Sequence, residues 1–148
     1  MIALIQRVAK ASVKVDTKSI GSIGLGLVIL LGVAAEDTTE DADFLVDKIC
    51  GLRIFSDNDG KMNISLKDIG GSALIISQFT LCGDWRKGRR PSFTNAAKAE
   101  KGKYLYDYFC DTTTKAGIPV KTGEFGAMMD VSLINQGPVT FVLDSKLK

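Results

Sequence analysis

The stretch ALIISQFTL, at residues 73–81, carries the strongest strand pattern in the chain and decides how the fold is built. Apolar residues run unbroken through its first half, which is typical of a strand buried in a sheet. Its second half holds three hydrogen-bonding side chains within four positions. Because side chains and free N–H groups at a strand end can face a pocket, Ser77 and Thr80 are candidate site residues.

A second stretch, NQGPVT at residues 135–140, places a Gly-Pro step between two strand-like runs. Proline removes one backbone donor and fixes φ, so two neighbouring carbonyl groups lack obvious strand partners. Local physics predicts a structural turn here, between closing strands at 131–134 and 139–143. Nothing in the local sequence predicts a cis peptide bond.

The rest of the chain predicts further strands and two helices, with no internal repeat. The predicted strands are 2–8, 11–15, 25–33 and 53–55, and the predicted helices are 39–52 and 97–115. Thr38, with Asp41 three residues later, has the spacing of a capping box at the first helix. The elements do not alternate as strict βαβ units, so we expect a single α+β domain over 1–148, with a mixed sheet or barrel.

Composition and charge are those of an ordinary globular protein. Apolar residues make up 45% and charged residues 24% of the chain, and the formal net charge is +2. The longest apolar run, 25–35, is about half of the roughly 20 residues that span a bilayer. The N-terminus also lacks the pattern of a secretory signal. We therefore expect a cytoplasmic protein without a membrane segment.

The chain contains no histidine, which excludes Ser-His-Asp and Cys-His mechanisms within it. Its three cysteines, Cys50, Cys82 and Cys110, lack the short spacing of a zinc or redox motif, and we expect them in the core. The glycine-rich stretch 21–26 lacks the Lys-Ser/Thr pair of a phosphate-binding loop. We therefore expect neither a metal ion nor a cofactor.

Hydroxyl and backbone groups are the remaining candidates for chemistry. A hydroxyl needs a neighbouring base to act as a nucleophile, and none is evident beside Ser77 or Thr80. The backbone N–H groups of Phe79 and Thr80 can instead stabilise a developing oxyanion, which suits an activated ester better than an amide. A purely structural strand end fits the same residues. The basic loop 84–90, which contains Trp85, fits either RNA binding or a solvated surface.

Five segments in register resemble the D-aminoacyl-tRNA deacylases, proofreading enzymes that remove D-amino acids from tRNA. The segments are IQRV at 5–8, GGSALIISQFTL at 70–81, KGRRPSF at 87–93, TGEFGA at 122–127 and NQGPVTF at 135–141. The resemblance implies homodimers with a barrel-like core of mixed β-sheets and covering helices. It also implies that the basic loop contacts the acceptor end of tRNA.

The resemblance further implies how L-aminoacyl esters are rejected. Gly137-Pro138 matches a cis peptide that reaches from one subunit into the active site of the other. There its two carbonyl oxygens crowd the place that an L side chain would occupy. Glycine has no side chain and is accepted to some degree, so glycyl-tRNA is a further expected substrate. The implied activity is hydrolysis of the ester bond of D-aminoacyl-tRNA, with no cofactor.

The resemblance also implies site residues at the matching positions. The expected catalytic segment, which holds the aminoacyl group, is Ser77, Gln78, Phe79 and Thr80, and the expected substrate-binding residues are Arg7, Phe125, Met129, Asn135, Gly137 and Pro138. Arg7 is expected to help fix the Gly-Pro loop. A ribose hydroxyl of the substrate is expected to help activate the attacking water. The chain departs from the family pattern at Met128, where an aspartate is common, and at Gln136, where an acid is frequent.

Two alternatives remain open. The chain fits a tRNA-binding or editing module like the domain appended to some archaeal threonyl-tRNA synthetases, although its end at Lys148 without a linker favours a freestanding protein. It also fits a plain hydrolase of small esters with Thr80 as the nucleophile, which would act on simple esters without RNA.

Overall fold

The computed structural model describes residues 1–147, which form eight strands, two α-helices and one short 3-10 helix. The strands are β1 (Ile2–Val15), β2 (Lys18–Ile23), β3 (Gly26–Gly32), β4 (Phe55–Ser56), β5 (Met62–Ile64), β6 (Ser72–Ser77), β7 (Val120–Thr122) and β8 (Met129–Asp144). The helices are α1 (Thr39–Gly51) and α2 (Ala99–Lys115), and the 3-10 helix (Phe79–Cys82) follows β6.

One six-stranded sheet organises the fold, with the order β2-β1-β3-β6-β7 and with β8 paired to β1. β1 pairs antiparallel with β3 through residues 2–8 and with β2 through residues 11–15, while β8 follows it over nearly its full length. β3, β6 and β7 run parallel to one another. Because β1 passes from one neighbour to the other, the sheet coils towards a barrel.

Gly21 lets the two ends of this sheet approach each other. A Cβ atom at Gly21 in β2 would lie 2.9 Å from the carbonyl oxygen of Thr122 in β7. β2 and β7 stand at opposite ends of the pairing order, so their approach brings the sheet close to closure. The predicted α+β class and barrel-like sheet are therefore confirmed.

Both α-helices cover the sheet and pack against each other. α1 buries Leu45 and Ile49, and α2 buries Phe109, in the same apolar core as β1, β3 and β6. Burying one large apolar side chain contributes about 1.5–3 kcal/mol, so this layer is a main source of stability. At the start of α1 the Asp41 carboxylate accepts a hydrogen bond from the Thr38 N–H at 2.9 Å, which confirms the predicted capping box.

Charged groups are buried where Met1 meets the end of β8. The Met1 ammonium group lies 2.5 Å from Asp37 Oδ1 and donates to the Ser145 hydroxyl at 2.7 Å. The Lys146 ammonium group lies 2.9 Å from both carboxylate oxygens of Asp41. Burial opposes the ionisation of Asp41, but hydrogen bonds from Lys146 and Ser145 outweigh it and hold the pKa of Asp41 well below its usual range.

Three strand predictions need correction. β1 is continuous from Ile2 to Val15 rather than two strands meeting at 9–10, because β8 pairs with it on both sides of that point. The strand predicted at 73–81 ends at Ser77, and the 3-10 helix takes over from Phe79. The short strand predicted at 53–55 is β4, which begins at Phe55.

The Gly-Pro step lies within a single long strand, so the prediction of a turn between two strands is wrong. Both halves of β8 pair with β1, at Asn135↔Val8 and at Thr140↔Gln6. Between these two pairs β1 has one residue, residue 7, whereas β8 has four, residues 136–139. The additional residues of β8 form a bulge, and residues 136–138 of it are exposed. The Gly137-Pro138 peptide bond in this bulge is cis.

The remaining predictions of local structure are confirmed. Both predicted helices are present, and α2 ends just before Gly117, whose φ of +93° favours glycine. All three cysteines are free and buried, as predicted. In the described part of the chain, no helix is both long and apolar enough to cross a membrane.

Candidate active site

The end of β6 and the 3-10 helix form one wall of the candidate site. The strand ends at Ser77, and the Gln78 N–H donates to the Leu31 carbonyl at 2.8 Å before the helix begins. Gly32 at the end of β3 lets the helix pack closely, because a Cβ there would lie 2.9 Å from Leu81 Cβ. The helix therefore sits at the carboxyl ends of two parallel strands, a common position for ligand sites.

Two N–H groups at the start of the 3-10 helix are unbonded. Within residues 1–147, no oxygen accepts a hydrogen bond from the N–H of Phe79 or Thr80. The next N–H, that of Leu81, donates to the Gln78 carbonyl at 3.2 Å. The first N–H groups of a helix lack intrahelical acceptors, so this pair is available to an incoming oxygen atom.

A cavity of about 320 Å³ opens beside the 3-10 helix. Ser77, Gln78 and Phe79 contribute to its lining from the end of β6, and Phe125 and Met129 contribute from the chain leading into β8. The lining residues in the described part of the chain carry no charge. The structure thus brings five of the predicted site residues together, while their roles stay predictions.

Tyr106 also lines the cavity and is not among the site residues predicted from the sequence. Its hydroxyl donates to the Ile75 carbonyl at 2.7 Å, and its ring centre lies 5.8 Å from that of Phe125. Burial raises the pKa of Tyr106 well above its usual range, so the hydroxyl stays protonated and remains a donor. The sequence feature that could have identified Tyr106 is its place within the apolar pattern of α2, because a buried tyrosine hydroxyl needs a hydrogen-bond partner.

The Thr80 hydroxyl is already engaged by a neighbouring side chain. It accepts a hydrogen bond from the Gln78 side-chain amide, and Thr80 is not among the residues that line the cavity. No carboxylate or amine within residues 1–147 is bonded to this hydroxyl. The same residues contain no group of three His, Cys, Asp or Glu placed to hold a metal ion.

The other predicted residues lie outside this chain's own cavity, with Asn135, Gly137 and Pro138 on the β8 bulge and Arg7 on the neighbouring strand β1. Asn135 fixes the base of the bulge, because its amide donates to the Arg7 carbonyl at 3.0 Å and to the Val139 carbonyl at 3.2 Å. The Arg7 guanidinium instead donates to the Ile54 carbonyl at 2.7 Å. Within this chain, Arg7 therefore holds the Gly-Pro segment through its backbone. Arg7 Nε is buried without a partner among residues 1–147.

The predicted basic loop forms a hairpin directly after the 3-10 helix. Asp84 and Ser92 exchange two backbone hydrogen bonds, at 2.7 and 2.9 Å. The Asp84 carboxylate also accepts from the Arg86 guanidinium at 2.8 and 2.9 Å. These hydrogen bonds, with the Arg86 charge, lower the pKa of Asp84 to about 2, so the pair stays ionised at neutral pH.

Comparison with known proteins gives consistent matches over nearly the whole chain. A family model described as D-Tyr-tRNA(Tyr) deacylase matches residues 4–144. A protein named D-aminoacyl-tRNA deacylase from Desulfatibacillum aliphaticivorans is 57% identical over 146 residues, covering 99% of this chain and 100% of the relative. One with the same name from Chloroflexus aurantiacus is 59% identical over 145 residues, covering 98% of this chain and 91% of the relative.

Solved structures show the same fold. A structure described as c-Myc DNA Unwinding Element Binding Protein superposes with a TM-score of 0.92 at 40% identity, covering 97% of this chain and 98% of that one. A structure described as a probable eukaryotic D-amino acid tRNA deacylase superposes with a TM-score of 0.83 at 21% identity, covering 96% and 97%. The second likeness concerns the fold alone.

The fold, the cavity at the strand ends and these relatives define a class of enzyme, the D-aminoacyl-tRNA deacylases, which are hydrolases acting on ester bonds. The chain belongs to the D-Tyr-tRNA(Tyr) deacylase family.

Proposed function

We propose that the protein releases D-amino acids from tRNA as a cytoplasmic homodimer that rejects L-aminoacyl-tRNA. The observation that carries this proposal is the pair of unbonded N–H groups of Phe79 and Thr80 beside an uncharged cavity. Water attacks the ester carbonyl carbon, and negative charge develops on the carbonyl oxygen within reach of these donors. The carbon–oxygen bond to the ribose then breaks, and the ribose oxygen takes up the proton that the attacking water loses, which leaves the free amino acid and the tRNA.

Catalysis in this proposal rests on placement. Ser77 and Gln78 hold the aminoacyl group, and the 3-10 helix supplies the oxyanion donors. Removing one such donor costs about 10²–10³ in kcat in other enzymes, so two donors provide a large part of the acceleration. Within residues 1–147 no charged side chain lines the cavity, and we propose that a ribose hydroxyl of the substrate helps to activate the water, as the family resemblance implies.

The Thr80→Ala variant tests whether the backbone or the side chain of this residue acts. The variant keeps the N–H group and loses only the hydroxyl that accepts from Gln78. We expect kcat to stay within about tenfold of the parent, since a neutral side-chain hydrogen bond contributes about 0.5–1.5 kcal/mol. A loss above 100-fold with unchanged melting temperature and substrate affinity would instead assign the hydroxyl to the chemistry. Activity on simple tyrosine esters without RNA would then support a small-ester hydrolase.

Chiral selection is proposed to come from the partner subunit. Gly137 and Pro138 are exposed on the β8 bulge and do not line the cavity of their own chain. Among residues 1–147 the one strand paired with β8 is β1, and β8 exposes Ile134, Phe141 and Val142, which a partner would cover. In a two-fold dimer each bulge reaches the other cavity, where its carbonyl oxygens would exclude an L side chain and admit glycine.

A paired deacylation assay tests selection and assembly together. We expect hydrolysis of D-tyrosyl-tRNA, slower hydrolysis of glycyl-tRNA, no hydrolysis of L-tyrosyl-tRNA, and a dimer by sedimentation equilibrium. Equal rates on the two enantiomers would refute the selection, and a fully active monomer would refute the dimer.

The Gly137→Ala variant tests whether the bulge enters the partner's cavity, because it should change activity without changing the stability of its own chain. A Cβ at Gly137 meets nothing within 4 Å in its own chain, so the melting temperature should not change. We expect slower hydrolysis of D-tyrosyl-tRNA, because the new methyl group would enter the partner's site. Gly24→Ala is the matched control, since a Cβ there is equally free. Unchanged activity of Gly137→Ala would contradict the placement of the bulge in the partner's cavity.

A further inference from the structure

The hairpin of residues 84–92 presents cations and one aromatic ring to solvent. Four basic residues stand against one acid, a net charge of +3. Residues 85–92 are all exposed, and 77% of the Trp85 surface is accessible. An exposed indole beside several cations combines a surface on which a base can stack with charges that attract phosphate groups.

The hairpin is attached firmly to the 3-10 helix. The Phe79 and Phe93 rings meet edge to face, with centres 5.0 Å apart and planes at 70°. Gly83 joins helix and hairpin, and its N–H donates to the Thr80 carbonyl at 3.0 Å. A Cβ at Gly83 would lie 2.9 Å from the Phe93 ring, so only glycine permits this packing. The hairpin therefore keeps a fixed position relative to the unbonded N–H groups.

The distance from those N–H groups to the hairpin is short. A 3-10 helix rises about 2 Å per residue, so the four residues Phe79–Cys82 span about 8 Å. A ligand whose reacting ester lies at the N–H groups therefore reaches the hairpin within a few nucleotides. That part of a tRNA is its unpaired 3′ end, where bases are free to stack on an aromatic ring.

The cations of the hairpin do not all have the same role. Asp84 holds the Arg86 guanidinium through both carboxylate oxygens, which neutralises that charge and braces the start of the hairpin. Lys87, Arg89 and Arg90 have no ion-pair partner within residues 1–147. These three are free to approach phosphate oxygens.

We infer that this hairpin binds the unpaired 3′ end of the RNA, with Trp85 stacked on a base and with Lys87, Arg89 and Arg90 on phosphates. The inference rests on the proposed function, since that places the ester beside the 3-10 helix. It adds a second recognition surface, outside the cavity, that distinguishes an RNA ester from an isolated aminoacyl nucleoside. Arg86 and Asp84 are positioning residues in this arrangement.

Binding is tested first without any hydrolysis. Trp85 is the only tryptophan in the chain, so intrinsic fluorescence reports on the hairpin alone. We expect a four-nucleotide RNA that carries no amino acid to quench this fluorescence at saturation. The RNA concentration at the midpoint should rise as the salt concentration is raised. Heparin, a polyanion without bases, should bind without comparable quenching. Absence of quenching by the RNA would overturn the inference whatever the protein hydrolyses.

Hydrolysis then compares D-tyrosyl-adenosine, the D-tyrosyl ester of the four-nucleotide RNA, and D-tyrosyl-tRNA. We expect Trp85→Ala to lower the ratio of kcat/KM on the four-nucleotide ester to that on the nucleoside by about 5- to 150-fold, the range for loss of one base stack. Tyr104→Ala, which removes another exposed aromatic ring, should leave the ratio unchanged. An unchanged ratio in Trp85→Ala, or a loss confined to full tRNA, would overturn binding at the 3′ end.

The salt dependence tests the phosphate contacts. The triple variant Lys87→Ala, Arg89→Ala, Arg90→Ala should reduce the slope of log affinity against log salt for the four-nucleotide RNA by about 2, because each single-strand phosphate contact contributes about 0.7. The control triple at the exposed Lys18, Lys61 and Lys115 should leave the slope unchanged. Arg86→Ala should change it less than Arg89→Ala. Equal slopes in the parent and the hairpin variant would overturn the phosphate contacts. If the RNA quenches the fluorescence but none of the three D-tyrosyl esters is hydrolysed, the proposed function is refuted and the binding inference is not.

Discussion

The Gly32→Ala substitution tests whether the position of the 3-10 helix sets the rate of deacylation. The new Cβ would stand 2.9 Å from Leu81 Cβ and 3.1 Å from the Gln78 carbonyl oxygen. Carbon atoms in contact prefer about 3.5–4.0 Å, so the helix has to move by roughly 0.6–1.1 Å. Such overpacking costs about 1–3 kcal/mol of stability.

The same movement displaces the N–H groups of Phe79 and Thr80 from the ester oxygen. A misplacement of about 1 Å costs on the order of 10²-fold in rate, so we expect kcat on D-tyrosyl-tRNA to fall by 10- to 100-fold. Single-turnover deacylation measures the rate, and urea unfolding measures the stability. Gly24→Ala is the control, because a Cβ there meets nothing within 4 Å. A destabilised Gly32→Ala protein with the parent's kcat would refute the role of the helix in catalysis.

Three further outcomes are expected. Tyr106→Phe removes a buried hydrogen bond to the Ile75 carbonyl, which still accepts from the Gly123 N–H, and should lower the free energy of unfolding by about 0.5–1.5 kcal/mol in urea titrations; an unchanged value would contradict a stabilising role for the hydroxyl. The pKa of Asp41 is lower in the folded state than in the unfolded state, so its contribution to stability is complete well above pH 4 and is lost as the pH falls below that value. Asp41→Asn should therefore flatten the stability profile between about pH 2 and 5, and a parallel profile would contradict this. Dialysis against a chelator should leave deacylation unchanged, whereas a loss restored by added metal would refute a metal-free mechanism.

The sequence predicted the helices and the buried strands because their signals are local. The apolar spacing of α1 and the Thr38–Asp41 capping box both depend on residues that are close together in the sequence. The end of β6 is less local. Residues 78–81 alternate polar and apolar side chains, which is typical of a strand. The Gln78 N–H donates to the Leu31 carbonyl, however, and the chain leaves the sheet after this bond. Strand length was therefore decided by a neighbouring strand rather than by propensity.

The two halves of β8 show the same limit. A Gly-Pro step between apolar runs is typical of a turn, and only the pairing of both runs with β1 makes it a bulge. The cavity wall at Tyr106 depends in the same way on the approach of α2 to β6. The residue types of the proposed catalytic segment, 77–80, were visible in the sequence. Their arrangement around an uncharged space required the fold.

The uncharged lining of the cavity has a consequence for the pH dependence of the reaction, because its side chains neither accept nor release protons near neutral pH. A side chain that gains or loses a proton near neutral pH would impose its own limb on the pH–rate profile. Within residues 1–147 the lining of the cavity contains no such side chain, and burial keeps the Tyr106 hydroxyl protonated. The pH–rate profile should therefore follow the reactivity of the bound ester itself. Any limb in that profile would report the ionisation of a group on the substrate.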